Sequence, residues 1–170
     1  MAWNRILKLK TKGFSLIELL VVVAIIGVLA AVGVVAFNGF IENSKINSCK
    51  ANHKLLTKQM SSQLTKCATG ANSLSLKDWF RTGGASQSIS CGNSASVLGA
   101  AIAIDWTNRA DNPYEPGQGA SIQFNSNPNP NSNDLDTYGD HYIYGPSNDK
   151  IRITTRCSKN DLLINTLEKE

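Results

Sequence analysis

The sequence predicts an α+β chain: one long N-terminal helix, apolar in its first half and amphipathic in its second, packed on a small antiparallel sheet. Three observations predict it. No residue between Glu18 and Glu42 carries a charge, a gap of 23 residues. Behind that gap Ile46, Cys49, His53, Leu56, Met60, Leu64 and Cys67 recur at steps of three and four, which is one stripe of a helix. From residue 100 onward, short period-two runs are separated by turns rich in Gly, Pro and Asn.

The first element is a basic leader. Arg5, Lys8, Lys10 and Lys12 precede Gly13 with no acid among them, and these four account for the whole net charge of +4. The rest of the 170 residues is neutral, so the pI near 8.9 says nothing about nucleic acid once the leader is removed. Leu19 to Phe37 follows as 19 uncharged residues, about 30 Å of helix at ~1.5 Å per residue, one hydrocarbon core. A secretory signal has a shorter apolar core of ~7–15 residues and a small-residue cut site after it. Asn38-Gly39-Phe40-Ile41 is no such site, so the segment stays in the membrane. The cations before it orient the remainder outward. A plain signal anchor, with Glu18 tolerated at the interface, is the simplest reading on residue physics alone. A carboxylate in bilayer is costly, however, by roughly 2.5–3.5 kcal/mol on insertion scales, which argues that Glu18 has a partner.

The run Gly13-Phe14-Ser15-Leu16-Ile17-Glu18-Leu19-Leu20-Val21-Val22-Val23-Ala24-Ile25-Ile26-Gly27 resembles the N-terminal signature of type IV pilins and type II secretion pseudopilins, over about 30 residues. The resemblance implies a pilin-like fold and a division into a cleaved leader (1–13), an apolar transmembrane and assembly helix (14–41) and an exported globular domain (42–170). It implies that a prepilin peptidase cuts between Gly13 and Phe14 and that the new Phe14 amine is N-methylated. Glu18 falls at the fifth position after the cut, where the family places its assembly glutamate. Physics agrees with that role, because an amine and a carboxylate that are each costly in an apolar bundle neutralise one another when paired. The expected partners are other copies of the chain in a helical filament, the peptidase and methylase, and an inner-membrane assembly machinery, with no small-molecule substrate. Many type IV pilins carry a proline in mid-helix, whereas the first proline here is Pro113, and Val34-Val35 stand near that point. Pseudopilins commonly lack it too, so pilin and pseudopilin both remain open.

The amphipathic half of the helix should run from Ile41 to a C-cap at Gly70, with its stripe on a sheet. His53 lies in that stripe and reads as a core or edge histidine. Lys45, Lys50, Lys54, Lys58 and Lys66 occupy the other faces. No aromatics interleave with them, so they read as a solvated face and not as a nucleic-acid surface. Ser75–Arg81 reads as a short helix, with Trp79 and Phe80 anchoring a connecting loop. Four strands are expected: Ala100–Trp106, Ser121–Phe124, a run around Tyr142 and Tyr144, and Ile151 to Cys157.

Four cysteines in an exported chain suggest disulfides, and the absence of C-x-x-C argues against zinc. Cys49 and Cys67 are about 27 Å apart along one helix and cannot join each other. Two schemes remain: Cys67–Cys91 with Cys49–Cys157, or Cys49–Cys91 with Cys67–Cys157. The first is preferred because it closes the shorter loop.

Residues 125–140 form a polar loop in which Asp134, Asp136 and Asp140 are spaced as calcium ligands could be. Asp111-Asn112-Pro113-Tyr114-Glu115-Pro116-Gly117 resembles a stretch of the major pseudopilins, which hold calcium in a C-terminal loop. Acidic turns are more often solvated, so no cofactor and no metal are expected, with those three residues as calcium candidates. Residues 105–149 carry a net −6 against +4 for residues 41–70. The leading function is a structural subunit of a type IV pilus filament. The alternative is a pseudopilin of a type II secretion system, and the rival from another class is a membrane-anchored periplasmic enzyme. With two histidines and no G-x-S-x-G, no nucleophile and base suggest themselves for the last.

Overall fold

A computed structural model describes residues 13–77, 83–107, 109–115, 117, 119, 122–124 and 138–170. The chain divides into two compact units, Met1–Ile41 and Glu42–Glu170. Helix α1 (Leu16–Ala68) contributes to both. Its start is a reciprocal capping box. The Ser15 amide donates to Glu18 Oε2 at 2.8 Å and the Glu18 amide donates to Ser15 Oγ at 3.3 Å, which satisfies two amides that have no partner inside the helix. Its end is a Schellman turn at Gly70, whose φ is +105°. There the Ala71 amide reaches Lys66 O at 3.0 Å and the Gly70 amide reaches Cys67 O at 3.2 Å.

In the first unit, residues 13–41 are exposed throughout. The most apolar 18-residue window has a mean hydropathy of 3.1, and none of it is buried within the protein. In the second unit, the same helix buries Cys49, His53, Leu56, Met60 and Leu64, while Ile46 and Cys67 are half-buried. This is the stripe that the three-and-four spacing predicts.

After α1 come β1 (Ser73–Lys77) and β2 (Ser86–Ser90), an antiparallel pair with Ser75 opposite Ser88. Residues 75–77 are therefore strand and not the expected helix. Ser-Leu-Ser-Leu-Lys alternates, and Leu74 and Leu76 are both buried on one face, so the period-two signal outweighs the weak capping pattern at Ser75. Arg81, Trp79 and Phe80 lie outside the described residues. Next is helix α2 (Ala95–Trp106), in place of the strand expected over Ala100–Trp106. The alternation of Ile102, Ile104 and Trp106 is incidental. Ala95, Leu98, Gly99, Ile102, Ala103 and Trp106 are all buried, and their spacing is helical in an alanine-rich segment. Gly99 allows the close approach to Ile151, since a Cβ there would sit 3.0 Å from Ile151 Cγ2.

The larger sheet runs β3 (Ile122–Phe124), β4 (His141–Ser147), β5 (Lys150–Ser158), β6 (Asp161–Glu168) in spatial order. β4, β5 and β6 are antiparallel neighbours, and the short β3 is parallel to β4 at one edge. The core gathers Leu56, Met60 and Leu64 of α1 with Leu98 and Ile102 of α2, and Ile151 and Ile153 of β5. Two disulfides brace it: Cys49–Cys157 ties α1 to β5, and Cys67–Cys91 ties the end of α1 to the residue after β2. This is the first of the two pairings that the spacing leaves open. Asp105, 3% exposed, joins three elements. Its Oδ2 accepts from Gln59 Nε2 at 2.9 Å, its Oδ1 accepts from the Lys77 amide at 3.0 Å, and Arg109 Nη2 lies 2.9 Å from Oδ2.

Candidate functional site

Residues 13–15 precede the helix and have no regular structure. Phe14 is 85% exposed. Among the described residues, a Cβ on Gly13 would meet no atom within 4 Å, so none of them asks for glycine there. Both residues of the Gly13–Phe14 junction are exposed. One turn further on, Glu18 lies beside Phe14, Ile17, Val21 and Val22, which together line one open apolar recess. Its Oε2 is held by the Ser15 amide. A carboxylate accepts several hydrogen bonds, so this contact leaves room for a second donor such as an amine. The cap also means that the acid, when it enters an apolar surrounding, carries one charge-assisted hydrogen bond with it. The S-x-x-E pattern before an apolar run is the signal from which this cap could have been read in the sequence. The charge of Glu18 alone does not reveal its partnership with Ser15.

Of the three calcium candidates, Asp134 and Asp136 lie outside the described residues, and Asp140 is buried. Asp140 Oδ1 accepts from Asn112 Nδ2 at 3.2 Å, a contact that serves the fold. Asn112 also donates to Tyr138 O at 3.2 Å, and its own Oδ1 accepts from the Tyr114 amide at 2.9 Å. The Tyr114 hydroxyl donates to Cys157 O. Asn112 is thus a buried polar hub that ties the 111–115 stretch to the residues just before β4, while Tyr114 ties it to β5. The sequence carries no signal for the hub beyond the turn propensity of Asp-Asn-Pro. Gly139 must be glycine: its φ is +89°, and a Cβ would fall 2.3 Å from Asn112 Oδ1. Among the described residues, no group of three or more His, Cys, Asp or Glu converges as a metal site would require.

The lysines of α1 are partly committed within the chain. Lys50 is 3.1 Å from Asp161, Lys45 sits 5.9 Å from the centre of the Tyr114 ring, and Lys66 donates to Gln63 at 3.2 Å. These partnerships fit a solvated face.

Comparison with known families decides what the N-terminus is. Residues 8–34 match the model of the prokaryotic N-terminal methylation motif. The chain carries a prepilin-type leader. This is the leader of type IV pilins and pseudopilins, and it supports a pilin-like or pseudopilin-like protein, pointing to a structural subunit in preference to an enzyme. It implies processing by a prepilin peptidase and assembly into pilus-like filaments. With the apolar helix behind it, the leader supports a membrane-anchored precursor. No curated protein and no solved structure matches the chain at a significant level.

Proposed function

We propose that this chain is a structural subunit of a type IV pilus filament. The precursor sits in the inner membrane as a single-pass protein with its leader in the cytoplasm. A prepilin peptidase cuts between Gly13 and Phe14, and the Phe14 amine is then methylated. Each subunit leaves the lipid by stacking its helix against others, and the Glu18 carboxylate of one neutralises the Phe14 amine of the next. The observation that carries this reading is the pairing of an exposed, non-helical Phe14 with a single acid one turn away, at the head of a stem that has no other charge before Glu42. An ion pair formed only when a neighbour is in register sets that register, the best-attested use of buried charge pairs. The mature filament then stands on the cell surface.

The second reading is a pseudopilin of a type II secretion system, forming a short periplasmic fibre. The Asp111–Gly117 stretch favours it, while the stem without proline is compatible with either. Mass spectrometry of sheared surface fibres tests the proposal. The expected result is a chain that begins at a methylated Phe14 and contains both disulfides. Its absence from surface fibres, together with calcium bound by the Asp-rich loop of the purified chain, would give the pseudopilin reading. A mature chain that still begins at Met1 would end both.

A further inference from the structure

The chain has two histidines, His53 on α1 and His141 on β4, and both are buried. They meet at one hydroxyl. Thr155 Oγ1 on β5 lies 2.8 Å from His53 Nδ1 and 2.6 Å from His141 Nδ1. His53 Nε2 lies 2.7 Å from Asn165 Oδ1 on β6. One hydroxyl has one proton, so it donates to one imidazole and accepts from the other. Two observations fix the direction. Asn165 Oδ1 can only accept, which places the proton of neutral His53 on Nε2 and leaves Nδ1 to accept from Thr155. His141 Nε2 is buried with no hydrogen-bond partner among the described residues, so its proton belongs on Nδ1, facing Thr155. The chain of donation therefore runs His141 to Thr155 to His53 to Asn165, and every proton is used.

We propose that His53 is an acid-sensitive latch that holds α1 on the sheet. A proton added to His53 Nδ1 has no place in this arrangement. It would point at a hydroxyl that is already donating toward it, and turning that hydroxyl away leaves its proton without the acceptor it has now. The protonated ring would also be a buried cation. The titratable group facing His53 is His141 on β4, whose pKa is lowered to about 3 by burial and by His53. The charged groups nearest the site along the packed elements are Lys50 and Lys54 on α1, Asp140 beside His141, Arg156 beside Thr155, and Asp161 and Glu168 on β6. Asp161 is committed to Lys50, Asp140 to Asn112 and Glu168 to Lys150. Burial lowers the His53 pKa below its ordinary 6.5, while the Asn165 hydrogen bond opposes that shift in part. A folded pKa below the unfolded one means that the latch is at full strength above pH 6.5 and weakens as the pH falls below it.

The latch sits between two covalent tethers. Cys49 joins α1 to β5 one turn before His53, and Cys67 joins the end of α1 to Cys91. Acid can therefore loosen the segment between residues 50 and 66 without releasing the helix, so the opening is reversible.

The experiment is hydrogen exchange of the full chain in detergent micelles between pH 7.5 and 5, corrected for intrinsic exchange. In the native sequence, the opening constant of residues 50–66 should rise below pH 6.5 toward tenfold per pH unit for each histidine that the opening exposes, His53 and the neighbouring His141. His53→Gln keeps a donor and an acceptor but cannot titrate, and should lose the His53 part of that slope, leaving at most the part that comes from His141, whose pKa burial also lowers, to about 3. Thr155→Ser should keep the native slope. Because a core variant can fail to fold, histidine ¹⁵N NMR of the native chain is a second, independent measurement: at pH 7 the His53 proton should reside on Nε2. Equal slopes in the native and His53→Gln proteins, or a His53 that titrates like a free imidazole, would overturn the proposal.

Discussion

The apolar stem, residues 16–41, and the head, residues 42–170, share one helix and use it in opposite ways. In the stem, side chains from Leu16 to Phe40 are exposed within the chain. In the head, Leu56 and Met60 on the same helix are sealed completely. The stem has no intramolecular core, so its sequence answers to lipid and to other molecules. The head has a core, two disulfides and buried polar hubs, so its sequence answers to itself. A substitution in the stem should be felt between molecules, and one in the head should be felt within a single chain.

The largest expected effect tests the stem side of this contrast. Glu18→Ala should abolish filament assembly while the precursor is still exported and cut, and the melting temperature of the head should not move. Normal fibres from this variant in electron micrographs would sink the assembly role of the acid. On the head side, replacing Cys49 and Cys157 together by serine removes a tether across 108 residues and should cost about 4 kcal/mol in denaturant unfolding. Asp105→Ala comes next. It strands the Lys77 amide, Gln59 and Arg109, for a loss of about 3 kcal/mol, whereas Arg109→Ala alone should cost less because that side chain is half exposed. If the two variants melt alike, the hub is only a surface ion pair. The smallest effect is at the end of α1. Gly70→Ala forces a side chain into a left-handed turn and should cost roughly 1 kcal/mol, read as a small shift of the urea midpoint.

The stem, the stripe and the C-cap are legible in the sequence because each is a local pattern. An uncharged run of membrane length, a three-and-four repeat and a glycine after the last turn can all be read from neighbours along the chain. Expectation and structure part where two local patterns overlap. Ile102, Ile104 and Trp106 alternate, yet Ala95, Leu98, Ile102 and Trp106 also repeat helically, and packing against Ile151 selects the helix. Ser75 has the look of a cap, yet Leu74 and Leu76 have one buried face to fill. Strands β2 and β6 leave little trace in the sequence. β2 is mostly serine and glutamine, and β6 has a broken pattern of exposure because it is the edge of its sheet.

The sequence by itself determined the N-terminal pattern: a basic leader, the Gly13–Phe14 junction at which cleavage is proposed, a Ser15-x-x-Glu18 helix start with one acid, and an uncharged stem of membrane length. These are properties of consecutive residues. The tertiary structure alone decided the pairing of the cysteines, the three elements gathered by Asp105 and the meeting of two histidines at Thr155. Those partners are 24 to 108 residues apart at the disulfides and 102 residues apart between His53 and Thr155. Spacing along a chain carries no distance across a fold, and only the packing of α1 on the sheet brings such groups within reach of one another.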